Sequence, residues 1–228
     1  MRFSHVVLDL DGTLVDTTAS QTVALNEVLC ARGRKVLDAK AVRLIAGHGL
    51  RAMVREAFHL TGDALQDDEL TNALTQMRVA YKSHLLELTL VAPGLDRALR
   101  ELRGSGVHLT VLSNKPQETA IALLDHAGVT GHIAYLVAGD MGYDRKPDPA
   151  GLHELMRAVG VEPAHTLMCG SMRLDMQTAR NGAVKCAACS PFIDPGLLLG
   201  LGADYLLHEV AQLIPLCTGR RKSGRFRA

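Results

Sequence analysis

The chain has no tryptophan, and aromatic residues make up only 4% of its 228 positions. Stacking platforms for nucleic-acid bases are therefore not evident. No apolar run approaches the roughly 20 residues needed to cross a bilayer, so no membrane span is expected. A secretory leader is not visible either, because Met1-Arg2 leads directly into the first strand-like run. Cysteines number five, an odd count that suits a reducing cytoplasm better than a disulfide framework. Cys186-Ala-Ala-Cys189 has redox spacing, yet it lies in an apolar stretch rather than at a helix start, where a thiolate would be stabilised. The pair reads as small buried hydrophobes. No internal repeat or low-complexity segment stands out.

A strong charge of one sign is also missing. The formal net charge is +1, but five of the 25 basic residues sit in the tail 219–228, which has no acid. The remainder holds 20 basic against 24 acidic residues, a net −4. A body of that sign argues against a nucleic-acid partner, and the tail reads as a solvated, disordered end. What is present is the composition of an ordinary soluble globular protein, 47% hydrophobic and 21% charged. Its length allows one large domain or a domain with an insertion.

From Leu90 onward, strand-like apolar runs alternate with helix-like segments. Val107 to Leu112, Ala134 to Ala138, Thr166 to Cys169, Val184 to Ala188 and Asp204 to Leu207 are the strand candidates. Between the first two, Ala120, Leu123, Leu124 and Ala127 recur at the spacing of a helix with one buried face. Such alternation predicts an α/β fold with a parallel sheet covered by helices. Residues 17–88 differ. Leu25, Val28 and Leu29, then Leu50, Met53, Val54 and Ala57, then Leu70, Leu74, Met77 and Tyr81 mark three helices, and no strand alternation interrupts them. The expected organisation is an α/β core from 1–16 and 89–218, an inserted all-α cap from 17–88, and the basic tail 219–228.

Chemistry concentrates at Asp9-Leu-Asp-Gly-Thr, directly after the apolar run Val6-Val7-Leu8. Two carboxylates one residue apart at the end of a strand supply a nucleophile and a proton-transfer group aimed into one pocket. Gly12 permits the sharp turn that follows. Such a pair can hold a divalent cation and attack phosphorus. Ser113, Lys146 and Asp175 also follow strand candidates, where ligands of parallel sheets collect. Singly, each has a plainer reading: a helix cap for Ser113, a solvated side chain for Lys146, a helix-dipole partner for Asp175.

Together these segments resemble the haloacid dehalogenase superfamily. Asp9-Leu-Asp-Gly-Thr-Leu-Val-Asp16-Thr17 is similar to its first motif, Leu112-Ser113-Asn114-Lys115 to its second, Lys146-Pro147-Asp148-Pro149 to its third, and Cys169-Gly170-Ser171-Met172-Arg173-Leu174-Asp175 to its fourth. The resemblance spans Val6 to about Tyr205 and implies a Rossmann-like core with a helical cap. It implies a Mg²⁺-dependent phosphomonoester hydrolase acting on a small phosphorylated metabolite. In that reading Asp9 forms an aspartyl-phosphate and Asp11 serves as acid and base. Lys146 offsets charge, the Ser113 hydroxyl and the Asn114 backbone bind phosphate oxygens, and Asp9, Asp11, Asp175 and Ser171 surround the metal. Ala46-Gly47-His48-Gly49-Leu50-Arg51 looks like the cap loop of phosphoglycolate-phosphatase-like members, with His48 and Arg51 as substrate contacts. Asp16 and Thr17 read as a cap or hinge. One departure stands out, because Ser171 occupies a place the family fills with a carboxylate. It leaves open a non-catalytic or impaired phosphate-binding protein; a sugar phosphomutase is a further alternative, because the same aspartyl-phosphate could pass to a sugar hydroxyl instead of water.

Overall fold

A computed structural model describes residues 2–219; the expectation for the basic tail falls almost wholly outside them. In chain order the elements are β1 (His5–Leu8), β2 (Val15–Asp16), α1 (Thr18–Cys30), α2 (Ala39–Ile45), α3 (Leu50–Thr61), α4 (Asp67–His84) and β3 (Leu90–Val91). Then follow α5 (Leu95–Gly104), β4 (His108–Leu112), α6 (Gln117–His126), β5 (Tyr135–Val137), α7 (Ala150–Val159) and β6 (Thr166–Gly170). The chain continues with α8 (Arg173–Asn181), β7 (Lys185–Cys189), α9 (Pro195–Leu199), β8 (Tyr205–Leu207) and α10 (Leu213–Thr218). It divides into two compact units, one taking the chain up to Leu14 and from Ala92 onward, the other Val15–Val91.

The larger unit is built on a six-stranded sheet in the order β5-β4-β1-β6-β7-β8. All its pairings are parallel. β1 and β6 are buried at every position, as expected of strands covered on both faces. On one face Val7, Leu112, Val137 and Met168 meet Leu152, Leu155 and Met156 of α7 and Met176 and Ala179 of α8 in a single apolar cluster. The order puts β1 in the middle, so the residue after Leu8 is flanked by the ends of β4 and β6.

The smaller unit holds α1 to α4, and α4 packs against both α1 and α3. Three short elements here, α2, β2 and β3, were not expected from the sequence. α2 buries only Val42, so its seven residues carry no apolar face to read. β2 and β3 pair antiparallel over two residues each, which brings the chain's entry and exit side by side. Asp16 accepts bonds from the backbone and hydroxyl of Thr18 at the start of α1, and its other oxygen lies 2.9 Å from Arg43.

At the far end of β1, His5 is completely buried. Its Nε2 lies 2.8 Å from the Thr110 hydroxyl and its Nδ1 3.3 Å from that of Thr166. The Thr166 hydroxyl donates to the Glu162 carbonyl, so it accepts from Nδ1–H and leaves Nε2 as an acceptor. Burial, with a smaller push from His108, lowers the imidazole pKa to about 4. An unfolded chain holds this proton up to about pH 6.5, so between the two values the unfolded state binds more protons. Stability is therefore complete above about pH 6.5 and falls as the pH drops toward 4, by up to about 3 kcal/mol. Urea midpoints measured across that window should show this slope in the parent. They should be flatter for His5→Gln, and parallel curves would remove His5 as the cause.

Candidate active site

Asp9 is the first residue after β1, Ser113 the first after β4 and Ser171 the first after β6. These strands are neighbours, and Leu8 pairs with Val111 and Cys169, so Asp9 lies level with Leu112 and Gly170 while Ser113 and Ser171 start one residue further along. The Asp9 amide continues the ladder by donating to the Cys169 carbonyl at 2.8 Å.

Lys146 brings the most distant segments together. Its Nζ donates to Asp9 Oδ1 and to Asp175 Oδ1, both at 2.6 Å, and all three groups are buried. The side-chain amide of Asn114 fixes the backbone of Lys146 at two points. Asn114 Oδ1 accepts from the Lys146 amide at 3.0 Å, and Asn114 Nδ2 donates to the Lys146 carbonyl at 3.2 Å. Asp175 has a second task. Its Oδ2 accepts from the backbone amides of Ser171 and Met172, at 3.0 and 2.9 Å, which ties the turn after β6 to the first turn of α8. This contact is open only because residue 170 is glycine, since a Cβ there would stand 2.4 Å from the Asp175 carboxyl group.

Two carboxylates sharing one ammonium shape the electrostatics. Burial and then the Asp175 charge raise the pKa of Asp9, with Lys146 opposing them. For Lys146, burial disfavours the ammonium, but Asp175 and Asp9 outweigh it and its pKa is raised. Lys146 is thus a fixed positive charge beside Asp9.

Asp11 takes a different environment. Its Oδ2 lies 2.8 Å from Lys115 Nζ, whose side chain is largely buried. Its backbone carbonyl accepts from the Ser171 hydroxyl at 3.2 Å. Gly12 makes this approach possible on two counts: its φ is +75°, and a Cβ would lie 2.5 Å from Ser171 Oγ. Ser113 Oγ accepts from the Lys115 amide at 3.2 Å and shapes the turn that delivers Lys115.

The residues fit a hard divalent cation. Mg²⁺ takes oxygen ligands, commonly one or two carboxylates with waters and substrate phosphate. Asp9 offers a carboxylate, Asp11 a carbonyl and Ser171 a hydroxyl. Among the described residues no group of three or more His, Cys, Asp or Glu side chains is assembled to hold a metal. Asp175, which the resemblance also places at the metal, accepts from Lys146 and from two backbone amides.

The larger unit thus brings together Asp9, Asp11, Ser113, Asn114, Lys146, Ser171 and Asp175. Sequence reasoning gave no role to Lys115 or to the Asn114 side chain. The signal available for Lys115 was its place directly after Ser113-Asn114 in the second motif. His48 and Arg51 belong to the smaller unit. His48 is exposed in the loop before α3, and Arg51, in its first turn, lies 3.7 Å from Asp67. Cys186 and Cys189 both lie within β7 and are buried. The Cys169 thiol is pushed well up by its contact with Cys189 and by burial, and burial also raises Cys186. These are inert thiols.

The sequence pattern of the haloacid dehalogenase-like hydrolases matches residues 6–189. The chain belongs to that family. Phosphoglycolate phosphatase of Pseudomonas fluorescens is 36% identical over 216 residues, 93% of this chain and 79% of the relative. Phosphoglycolate phosphatase 1 of Pseudomonas aeruginosa is 36% identical over 214 residues, 92% and 78% of the two chains. Among solved structures, a predicted phosphoglycolate phosphatase from Haemophilus somnus superposes with a TM-score of 0.85. That pair covers 95% of this chain and 98% of the other at 21% identity, a likeness of fold. The α/β parallel core is the family's, and the chain is an enzyme of its phosphatase type.

Proposed function

We propose that this enzyme is a Mg²⁺-dependent phosphomonoester hydrolase that works through an aspartyl-phosphate on Asp9 and acts on a small metabolite of the phosphoglycolate kind. The observation that carries the reading is the buried Asp9–Lys146–Asp175 triad at the end of the central strand, beside an Asp11 paired with Lys115. An Asp9 oxygen attacks phosphorus while the bond to the alkoxy oxygen breaks. Asp11, ionised beside Lys115, takes up a proton as the substrate binds and gives it to the departing alkoxide. Asp11 then takes a proton from a water that attacks the same phosphorus, which releases phosphate and frees Asp9. Lys146 offsets charge on the phosphoryl oxygens, as phosphoryl transfer requires. The Ser113 hydroxyl and the Asn114 backbone supply donors to the same oxygens. Bound to Asp9, the Asp11 carbonyl and Ser171, Mg²⁺ would add positive charge at the phosphoryl group and favour ionised Asp9.

His48 and Arg51 are assigned the organic part of the substrate, since their donors suit a carboxylate or hydroxyl. The unpaired thiols suit the reducing cytoplasm to which this reading assigns the enzyme. Among the described residues no helix is long and apolar enough to cross a membrane. Neither the phosphomutase nor the non-catalytic alternative gains support from the relatives named above.

The test is phosphate release from a panel of small phosphomonoesters, with Mg²⁺ and with a chelator. Turnover that requires Mg²⁺ and favours short carboxylated substrates is expected. Turnover undiminished by the chelator would overturn the metal's part, and a silent panel the activity itself.

A further inference from the structure

We propose that Mg²⁺ and the phosphate group bind this site as a mutually dependent pair, each holding poorly without the other, because Ser171 contributes an oxygen but no charge. The inference rests on the phosphomonoester reading and deepens it.

The argument is a charge count at fixed positions. Asp9 and Asp175 bring two negative charges and Lys146 one positive, a net −1 in the buried triad. The Asp11–Lys115 pair adds nothing net. Ser171, whose hydroxyl lies against the Asp11 carbonyl, is neutral. Of the carboxylates, Asp175 has given one oxygen to Lys146 and the other to two backbone amides. Of the two carboxylates in the triad, Asp9 is the one with an oxygen outside these bonds, and its other oxygen already meets the ammonium.

A cation arriving alone therefore finds one half-neutralised carboxylate and two uncharged oxygens, a poor exchange for its hydration shell. A phosphate dianion arriving alone would take the cluster from −1 to −3 in a poorly hydrated setting. Arriving together, a dication and a dianion leave the cluster at its starting charge of −1. Each thus supplies the charge the other lacks. By linkage the two effects must be equal in size.

Titration calorimetry on the full chain tests this, with Mg²⁺ injected into protein with and without saturating inorganic phosphate, and the reverse. Heats of Mg²⁺ meeting phosphate in buffer are subtracted. Phosphate should tighten Mg²⁺ by about tenfold or more, and Mg²⁺ should tighten phosphate by the same factor. Ser171→Asp adds the missing charge, so Mg²⁺ should bind it without phosphate and the coupling should shrink to less than about threefold. Ser171→Ala preserves the charge count and should preserve the coupling, which separates charge from any disturbance of the turn. Equal Mg²⁺ affinity with and without phosphate in the parent would overturn the inference, as would coupling that survives in folded Ser171→Asp. The two readings fail separately. Coupling without turnover on any phosphomonoester would leave the pairing and remove the activity, whereas turnover without coupling would do the opposite.

Discussion

Asp9→Asn is expected to bring phosphate release down to background, a fall on the order of 10⁴-fold or more, as when a covalent nucleophile is removed. A carboxamide nitrogen or oxygen is too weak a nucleophile to displace an alkoxide from phosphorus. The fold should survive. Lys146 keeps its 2.6 Å contact with Asp175, and an amide oxygen at position 9 can still accept from the ammonium. Circular dichroism and a melting curve close to the parent's would place the loss in the chemistry. In the parent, rapid acid quenching during turnover should trap a chain heavier by one phosphoryl group, and the variant should give none. Turnover near the parent rate in purified Asp9→Asn would eliminate the covalent route.

Asp175→Asn should damage stability and turnover together. The parent carboxylate accepts from Lys146 and from the amides of Ser171 and Met172, and it is completely buried. A carboxamide can satisfy one side with its oxygen but must turn an NH₂ toward donors on the other. Asp9→Asn also leaves the ammonium one carboxylate, but only here does the NH₂ have to face either that ammonium or two buried backbone amides. Breaking a buried pair in this way costs roughly 3–5 kcal/mol, or a melting temperature lower by about 10 °C in a chain of this size. Turnover should fall because Lys146 is less firmly directed at Asp9 and the turn carrying Ser171 loosens. Calorimetric melting and phosphate release at a temperature where the variant is folded check both halves. A melting temperature within a degree or two of the parent's would mean that Lys146 and the turn find support elsewhere.

The core was legible because its strands are buried on both faces and so read as uninterrupted apolar runs. The runs Thr166 to Cys169 and Val184 to Ala188 agree with β6 and β7 to within a residue at either end. Elements without such a signature were not legible. α2 buries one side chain of seven, and the β2–β3 pair is two residues long on each side, so each draws its order from neighbours. The same division holds in the candidate site. Asp9 could be picked out from its place after an apolar strand, and Lys146 and Asp175 from the resemblance of their segments to the family's third and fourth motifs. The Lys115–Asp11 contact and the grip of the Asn114 amide on Lys146 depend on loops 104 and 32 residues apart meeting in space. A lysine after a turn ordinarily reads as a solvated one, and no periodicity marks it otherwise.

His5 and Asp9 lie at opposite ends of the same short strand. Acidification attacks that strand from the end remote from chemistry, so the acid limb of an activity profile has a folding component beside the protonation of Asp9. The two are separable by time: lost ionisation returns at once on neutralisation, whereas a melted strand returns at the speed of refolding. An enzyme engineer seeking acid tolerance would gain more by refitting the pocket between Thr110 and Thr166 for an uncharged side chain than by altering any group that touches phosphate.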